Sequence, residues 1–258
     1  MTKTAIITGA SSGIGMELAK ILAADKINLI LVARSENKLI ELKKELDQYK
    51  ISTSILALDL SKPDAAQMVF DYCAKENLKV DILINNAGFG DYGMFISSDW
   101  KKQEEMIRLN IQTLTHLTHL FLPYMVKNKY GRILNLASLA SFLPGPLMSV
   151  YYATKAYVLS FSEALSTELE GSGVTVTALC PGPTESGFQK AAAMNESKIL
   201  KGRKLPTSKD VATYGYKALM DGKVVAIHGF LNSLMVSAIR FTPRSIARKF
   251  VRTLQDKS

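Results

Sequence analysis

Seven short runs of β-branched and aliphatic residues, at 4–8, 28–33, 52–58, 82–85, 131–137, 175–180 and 224–227, alternate with longer segments. No other feature restricts the possible folds as strongly. The longer segments, at 14–24, 36–50, 64–75, 101–128 and 151–170, carry apolar residues three and four positions apart, the period of an amphipathic helix. The short runs are apolar almost throughout instead of at every second residue. Strands read this way when helices cover both faces of a parallel sheet. The expected fold is therefore α/β, a doubly wound parallel sheet of about seven strands with helices on both faces. Ligands of such sheets lie beyond the carboxyl ends of the strands, which directs attention to the residues just after each run.

After the first run comes T-G-A-S-S-G-I-G, with Gly9, Gly13 and Gly15 between a strand and a helix. Glycines permit a tight turn and let an anion approach the backbone, while the N–H groups and dipole of a helix N-terminus favour negative charge. The turn suits a pyrophosphate, with Ser11, Ser12 and Ile14 at its lip. A tight strand-to-helix connection needs similar glycines, so the stretch alone does not separate the two readings.

No Pro/Gly/Ser-rich or charge-dense linker divides the 258 residues, so one domain spanning 1–258 is expected. The two cysteines, Cys73 and Cys180, lie in apolar surroundings and are too few for a disulfide framework. The first residues form neither a signal peptide nor a membrane span, which makes a cytoplasmic location the expectation. His116, His119 and His228 lack ligand spacing to cysteines or carboxylates, so no metal is assigned. The net charge of +9 is unevenly spread: residues 189–210 hold six Lys/Arg against two Asp/Glu, and residues 239–258 six against one. Solvated faces account for such an excess; so does an acidic partner, such as a membrane surface. It forms no clear single stripe, and nucleic acid is not expected as a partner.

Several motifs together resemble the short-chain dehydrogenase/reductase family. They are the glycine turn, Asn85-Asn86-Ala87-Gly88, Asn110 in "RLNIQT", Asn135-Leu136-Ala137-Ser138, Tyr151 with Lys155, and Pro181-Gly182 followed by Thr184. They stand in the family's order with sensible separations. The end of the chain differs from many members, reading "VVAIHGFLNSLM" before a basic tail. The resemblance implies a Rossmann-type fold, a nicotinamide cofactor and a homodimer or homotetramer. It assigns cofactor contacts to Gly9, Ser11, Ser12, Gly13, Ile14, Gly15, Asp59, Asn86, Tyr151, Lys155 and Thr184. It also assigns catalysis to Asn110, Ser138, Tyr151 and Lys155, with Asn110 as a water holder in a proton relay.

Arg34 ends the second run where NAD-selecting enzymes place a carboxylate for the ribose hydroxyl. A guanidinium there suits a 2′-phosphate through paired N–H donors, which points to NADP(H). Ser11, Ser12 and Ser35 can add hydroxyl donors.

Hydride transfer to a carbonyl carbon leaves charge on oxygen and requires a nearby proton donor. Both Tyr151 and Tyr152 lie within a helical turn of Lys155, so spacing alone does not choose between them. The resemblance selects Tyr151. A phenol titrates near ~10, and a lysine cation about 4 Å away at an effective dielectric of ~20 supplies roughly the 4 kcal/mol needed to bring it to ~7. Lys155 is therefore expected to lower the Tyr151 pKa.

The expected substrate is a fairly apolar small carbonyl or secondary alcohol, because Phe89, Tyr92, Leu143, Met148, Phe188 and Met194 are the candidate pocket residues. Residues 184–205 read as a substrate lid, and 229–258 as a basic C-terminal extension open to peripheral membrane contact. A non-catalytic NADP-binding regulator on the same fold is the alternative, although it has no need of a tuned phenol.

Overall fold

The computed structural model describes residues 2–187 and 205–255, apart from the Leu254 side chain. Seven strands form one sheet: β1 (Thr4–Thr8), β2 (Asn28–Ala33), β3 (Thr53–Ala57), β4 (Ile82–Asn85), β5 (Gly131–Leu136), β6 (Val174–Cys180) and β7 (Val225–Ile227). Every pairing is parallel, in the order β3-β2-β1-β4-β5-β6-β7. The order reverses between β1 and β4, where their carboxyl ends open a crevice.

The helices are α1 (Gly13–Ala24), α2 (Glu36–Leu46), α3 (Ala65–Lys75), α4 (Trp100–Ile107), α5 (Leu114–Lys127), α6 (Ser149–Glu168), α7 (Ser208–Met220), α8 (Phe230–Ile239) and α9 (Arg244–Gln255). Strand residues alternate between two cores. Ile7, Leu29, Leu31 and Ile84 pack with Leu18 and Leu22 of α1, Leu39 of α2 and Leu219 of α7. Ile6, Ile30, Leu83 and Ile133 pack with Val69 of α3, Leu117 and Phe121 of α5 and Leu165 of α6. Burying both strand faces explains the continuous apolar runs, since each fully buried side chain contributes roughly 1.5–3 kcal/mol.

Two helical patterns end differently from their sequence reading. The pattern at 36–50 leaves the α-helix at Leu46, makes a 3₁₀ turn over Asp47–Tyr49 and stops at Lys50, whose φ is 55°. The pattern at 101–128 is interrupted between α4 and α5 by a π-helical stretch, Arg108–Thr113, which contains Asn110. Tertiary bonds hold this wider turn: Thr113 Oγ1 donates to the Leu60 carbonyl at 2.8 Å, and Arg108 Nη1 to the Ser61 carbonyl at 3.4 Å. Apolar periodicity continues on both sides of the extra residue, so the pattern does not expose it.

Candidate active site

The carboxyl ends of β1 and β4 are stitched by Thr8 and Asn86. The Thr8 hydroxyl accepts the N–H groups of Asn86 and Ala87, both at 3.0 Å, and donates to the Ile84 carbonyl at 3.2 Å. Asn86 Nδ2 donates back to the carbonyls of Thr8 at 2.9 Å and Gly9 at 3.2 Å. This crossing leaves no room for side chains in the turn. A Cβ on Gly9 would lie 2.8 Å from Asn86 Nδ2, at a φ of +67°. A Cβ on Gly15 would lie 2.4 Å from the same atom and 2.5 Å from the Gly9 carbonyl oxygen. Ser12, the N-cap of α1, makes no side-chain bond to the first turn, and that turn carries no acidic residue. A narrow cradle of backbone with an uncapped, carboxylate-free helix start fits a dinucleotide pyrophosphate. Ser11 and Ile14 lie at its partly exposed lip.

Arg34 directly follows β2 and is exposed, and its charge reaches Asp59 beyond β3. Burial pushes the Asp59 carboxyl upward, but the Ser61 N–H and hydroxyl, at 3.0 and 2.7 Å, and the Arg34 charge hold it below its ordinary value. Asp59 thus organises the turn that follows β3. Ser35 is the N-cap of α2 without a side-chain cap bond, and Glu36 lies in that helix's first turn.

Ser138 and Tyr151 meet beyond β5. Ser138 opens a 3₁₀ turn, Leu139–Phe142, and its Oγ accepts the Ala140 N–H at 3.1 Å. It is also hydrogen-bonded to the Tyr151 phenol, which α6 buries at 8% exposure. Ser141 is turned elsewhere, donating to the Lys155 carbonyl at 2.7 Å. One helical turn beyond Tyr151, Lys155 Nζ lies 5.8 Å from the phenol ring centroid and donates to the Leu136 carbonyl at 2.6 Å.

The charge balance differs from the sequence expectation. Burial raises the Tyr151 pKa, and the Ser138 bond only partly offsets it. Burial lowers Lys155 to about 8, with a smaller opposing effect from Cys180. The correction has a physical cause: the Coulomb argument counted attraction between the two groups but omitted their removal from water, which disfavours both charged forms.

Asn110 has its amide engaged. Its Nδ2 donates to the Phe89 carbonyl at 3.0 Å and to Thr154 Oγ1 at 3.1 Å, while its Oδ1 accepts the Phe89 N–H at 3.2 Å. The side chain therefore fastens the loop after β4 to α6. Thr184, 6% exposed, donates to the Gly182 carbonyl at 2.9 Å. Gly13 begins α1 at a φ of +57°, and a Cβ there would touch Ser186 Cβ and Ser208 Oγ at 3.7 Å.

Sequence reasoning passed over three contributors. Thr8 and Thr154 were hidden because threonine at a strand end or in a helix is ordinary. Gln255, in the last turn of α9, was missed entirely. It is wholly buried; its Nε2 donates to Tyr152 OH at 2.5 Å and its carbonyl accepts Tyr92 OH at 2.5 Å. Its Oε1 is buried without a hydrogen-bond partner. Tyr152 stands edge-on to Tyr151, with centroids 6.1 Å apart, so it forms wall beside the phenol. Phe89, Tyr92 and Met148 pack in the same cluster as Tyr151, and Leu143 lines a neighbouring cleft. Phe188, Met194 and most of the 184–205 segment lie outside the described residues. Among the described residues no cluster of three or more His, Cys, Asp or Glu could hold a metal.

The chain is 31% identical to an uncharacterised oxidoreductase of Staphylococcus epidermidis over 79% of this chain and 87% of that one. It is also 31% identical to the very-long-chain 3-oxoacyl-CoA reductase of Rattus norvegicus, over 92% and 77%. It spans 52–58% of the length of fungal and human reductases of that name. A short-chain dehydrogenase from Sphingobium yanoikuyae in complex with NADPH superposes with a TM-score of 0.83 at 31% identity, covering 93% of this chain and 94% of that one. The family model for short chain dehydrogenases matches residues 3–197. With a glycine cradle beyond β1 and a serine, tyrosine and lysine gathered beyond β5, the chain belongs to the short-chain dehydrogenase/reductase family of oxidoreductases.

Proposed function

We propose that the protein is an NADP-dependent oxidoreductase that interconverts a carbonyl and a secondary alcohol on a fairly apolar small molecule. The observation that carries this reading is the buried Tyr151 phenol, hydrogen-bonded to Ser138 and one helical turn from Lys155. When bound, the nicotinamide supplies or accepts the hydride and, once oxidised, adds positive charge beside the phenol. In the reductive direction, Ser138 orients the carbonyl oxygen and Tyr151 O–H gives it a proton as charge develops. The Lys155 cation stabilises the phenolate left behind. Asn110 holds the Phe89 loop against α6 and, in this reading, also holds the water of the proton relay to Lys155. In this reading residues 1–258 act as one domain, with 184–205 covering the substrate.

NADP is favoured by the Arg34 cation, exposed directly after β2, whose guanidinium suits a 2′-phosphate, and by the NADPH named in the Sphingobium complex. An apolar substrate is favoured by the Phe89, Tyr92 and Met148 wall and by the long acyl substrate in the rat relative's name. A pure nucleotide-binding regulator has no use for a phenol buried beside serine and lysine. The test follows cofactor absorbance across a panel of aliphatic and aromatic ketones, with NADPH and NADH, for the natural chain and Arg34→Asp. The expected result is turnover with NADPH and a preference reversed by about 10²-fold in the variant, since charge-assisted bonds give way to repulsion. Natural preference for NADH overturns the Arg34 assignment; absence of turnover across the panel overturns the catalytic one.

A further inference from the structure

Apolar exposure is concentrated on one part of the molecule. Among the described residues, eleven large apolar side chains are more than half exposed, and ten of them fall in residues 94–100 and 230–250. Ile96 is 92% exposed, Trp100 64%, Phe230 83% and Phe241 89%. On α8 and just beyond it, Phe230, Leu234 and Phe241 recur at four- and seven-residue intervals, one helical face, with Leu231 beside them. On α9, Ala247, Val251 and Gln255 turn inward, while Ile246 and Phe250 stay outside. The two segments adjoin: Arg252 Nη1 lies 3.8 Å from Met94 Sδ, and Tyr92 binds the Gln255 carbonyl.

Charge identifies the occupant. Residues 222–255 contain six Lys/Arg and no Asp or Glu. The carboxylates next to the 94–100 loop are already engaged: Asp99 caps α4, and Asp91, ahead of the loop, binds Lys102 and Gln103. A second copy of this face would set Arg240, Arg244, Arg248 and Lys249 against a patch that carries the same cations and, over residues 222–255, no carboxylate, a repulsive isologous contact. An anionic bilayer accepts both components, cations at the headgroups and aromatic and aliphatic side chains just below them. No described helix is long and apolar enough to cross a membrane, so contact would lie in the surface plane.

We propose that α8, α9 and the 94–100 loop form a docking surface for an anionic lipid bilayer. The docked face then lies on the side of the molecule where Gln255 and Tyr92 pack beside the Tyr151 cluster, so an apolar substrate could enter from the lipid.

The experiment is vesicle sedimentation of the full chain with phosphatidylcholine alone and with phosphatidylcholine containing phosphatidylserine. Two exposed-residue variants accompany it: Phe230→Ser/Phe241→Ser/Phe250→Ser and Arg248→Glu/Lys249→Glu. The natural chain is expected to sediment with the serine-containing vesicles. The charge variant should bind them at least about 25-fold more weakly, at about five-fold per cation, and high salt should mimic it. The apolar variant should lose binding to the serine-containing vesicles, while turnover of a water-soluble ketone stays at the natural rate in both variants. Failure of the natural chain to bind anionic vesicles overturns the proposal, as does undiminished binding by both variants. If the apolar variant still binds vesicles but dissociates an oligomer in sedimentation velocity, the face belongs to a second copy and the proposal fails.

Discussion

At the nucleotide end of the crevice, Thr8 and Asn86 spend their polar atoms on backbone, and Gly9 and Gly15 are sealed between them. At the other end the side chains engage one another: Ser138 with Tyr151, and Gln255 with Tyr152. The first arrangement fixes the shape of a cavity. The second gathers hydroxyls and an amide into one hydrogen-bonded wall around the buried phenol. Changes at the first end should therefore fail by crowding and unfold the cradle, whereas changes at the second should fail chemically with the fold retained.

The largest effect expected is for Tyr151→Phe, which removes the proton donor and should lower kcat by about 10²–10⁴-fold, the usual worth of general acid catalysis. NADPH affinity measured by fluorescence titration should stay within a few-fold, and Tyr152→Phe should be mild. An active Tyr151→Phe with an inactive Tyr152→Phe would exchange the two roles.

The pH profile sharpens the chemical half of the contrast. Lys155 titrates near 8 because burial disfavours its cation, so its charge is present below that pH and is lost as pH rises through it. The reductive kcat/KM should fall about ten-fold per unit above roughly pH 8, a limb that follows loss of the Lys155 charge. Lys155→Met should remove this limb; a natural profile flat through that range would detach the lysine from the proton chemistry.

Gly15→Ala probes the steric half. Its Cβ would press on both Asn86 Nδ2 and the Gly9 carbonyl, and the second is backbone that cannot swing aside. A loss of roughly 1–3 kcal/mol in denaturant unfolding is expected, together with weaker NADPH binding. Unchanged stability and affinity would show that the cradle adjusts and that the contrast is too sharply drawn.

The smallest effect is expected for Gln255→Leu. Removing one bond to Tyr152 also removes a buried acceptor that has no partner, so the two contributions oppose each other. Stability should move by about 1 kcal/mol or less, with a few-fold change in KM and kcat retained. A collapse of kcat would place Gln255 in the chemistry and not in the wall.

Much of this was legible in the chain because it depends on neighbours in sequence. Strands β1, β2 and β4 begin and end where the apolar runs do, since a strand buried on both faces leaves an uninterrupted apolar record. The glycine turn declared itself because Gly9 needs a positive φ and Gly15 a close approach. The π-helical turn around Asn110 did not, because its cause is a set of bonds to the Leu60–Ser61 segment about 50 residues away.

By itself the sequence determined the α/β order, the position of the cradle and, through resemblance, the serine, tyrosine and lysine that meet beyond β5. The tertiary structure decided what surrounds them. It turned Ser141 toward the Lys155 carbonyl and left Ser138 at the phenol. It brought Gln255 against Tyr152, 103 residues earlier in the chain. It also reversed the expected shift of Tyr151. Propensity and spacing act over a few residues, whereas desolvation of a phenol depends on every group packed around it, and those groups come from across the fold.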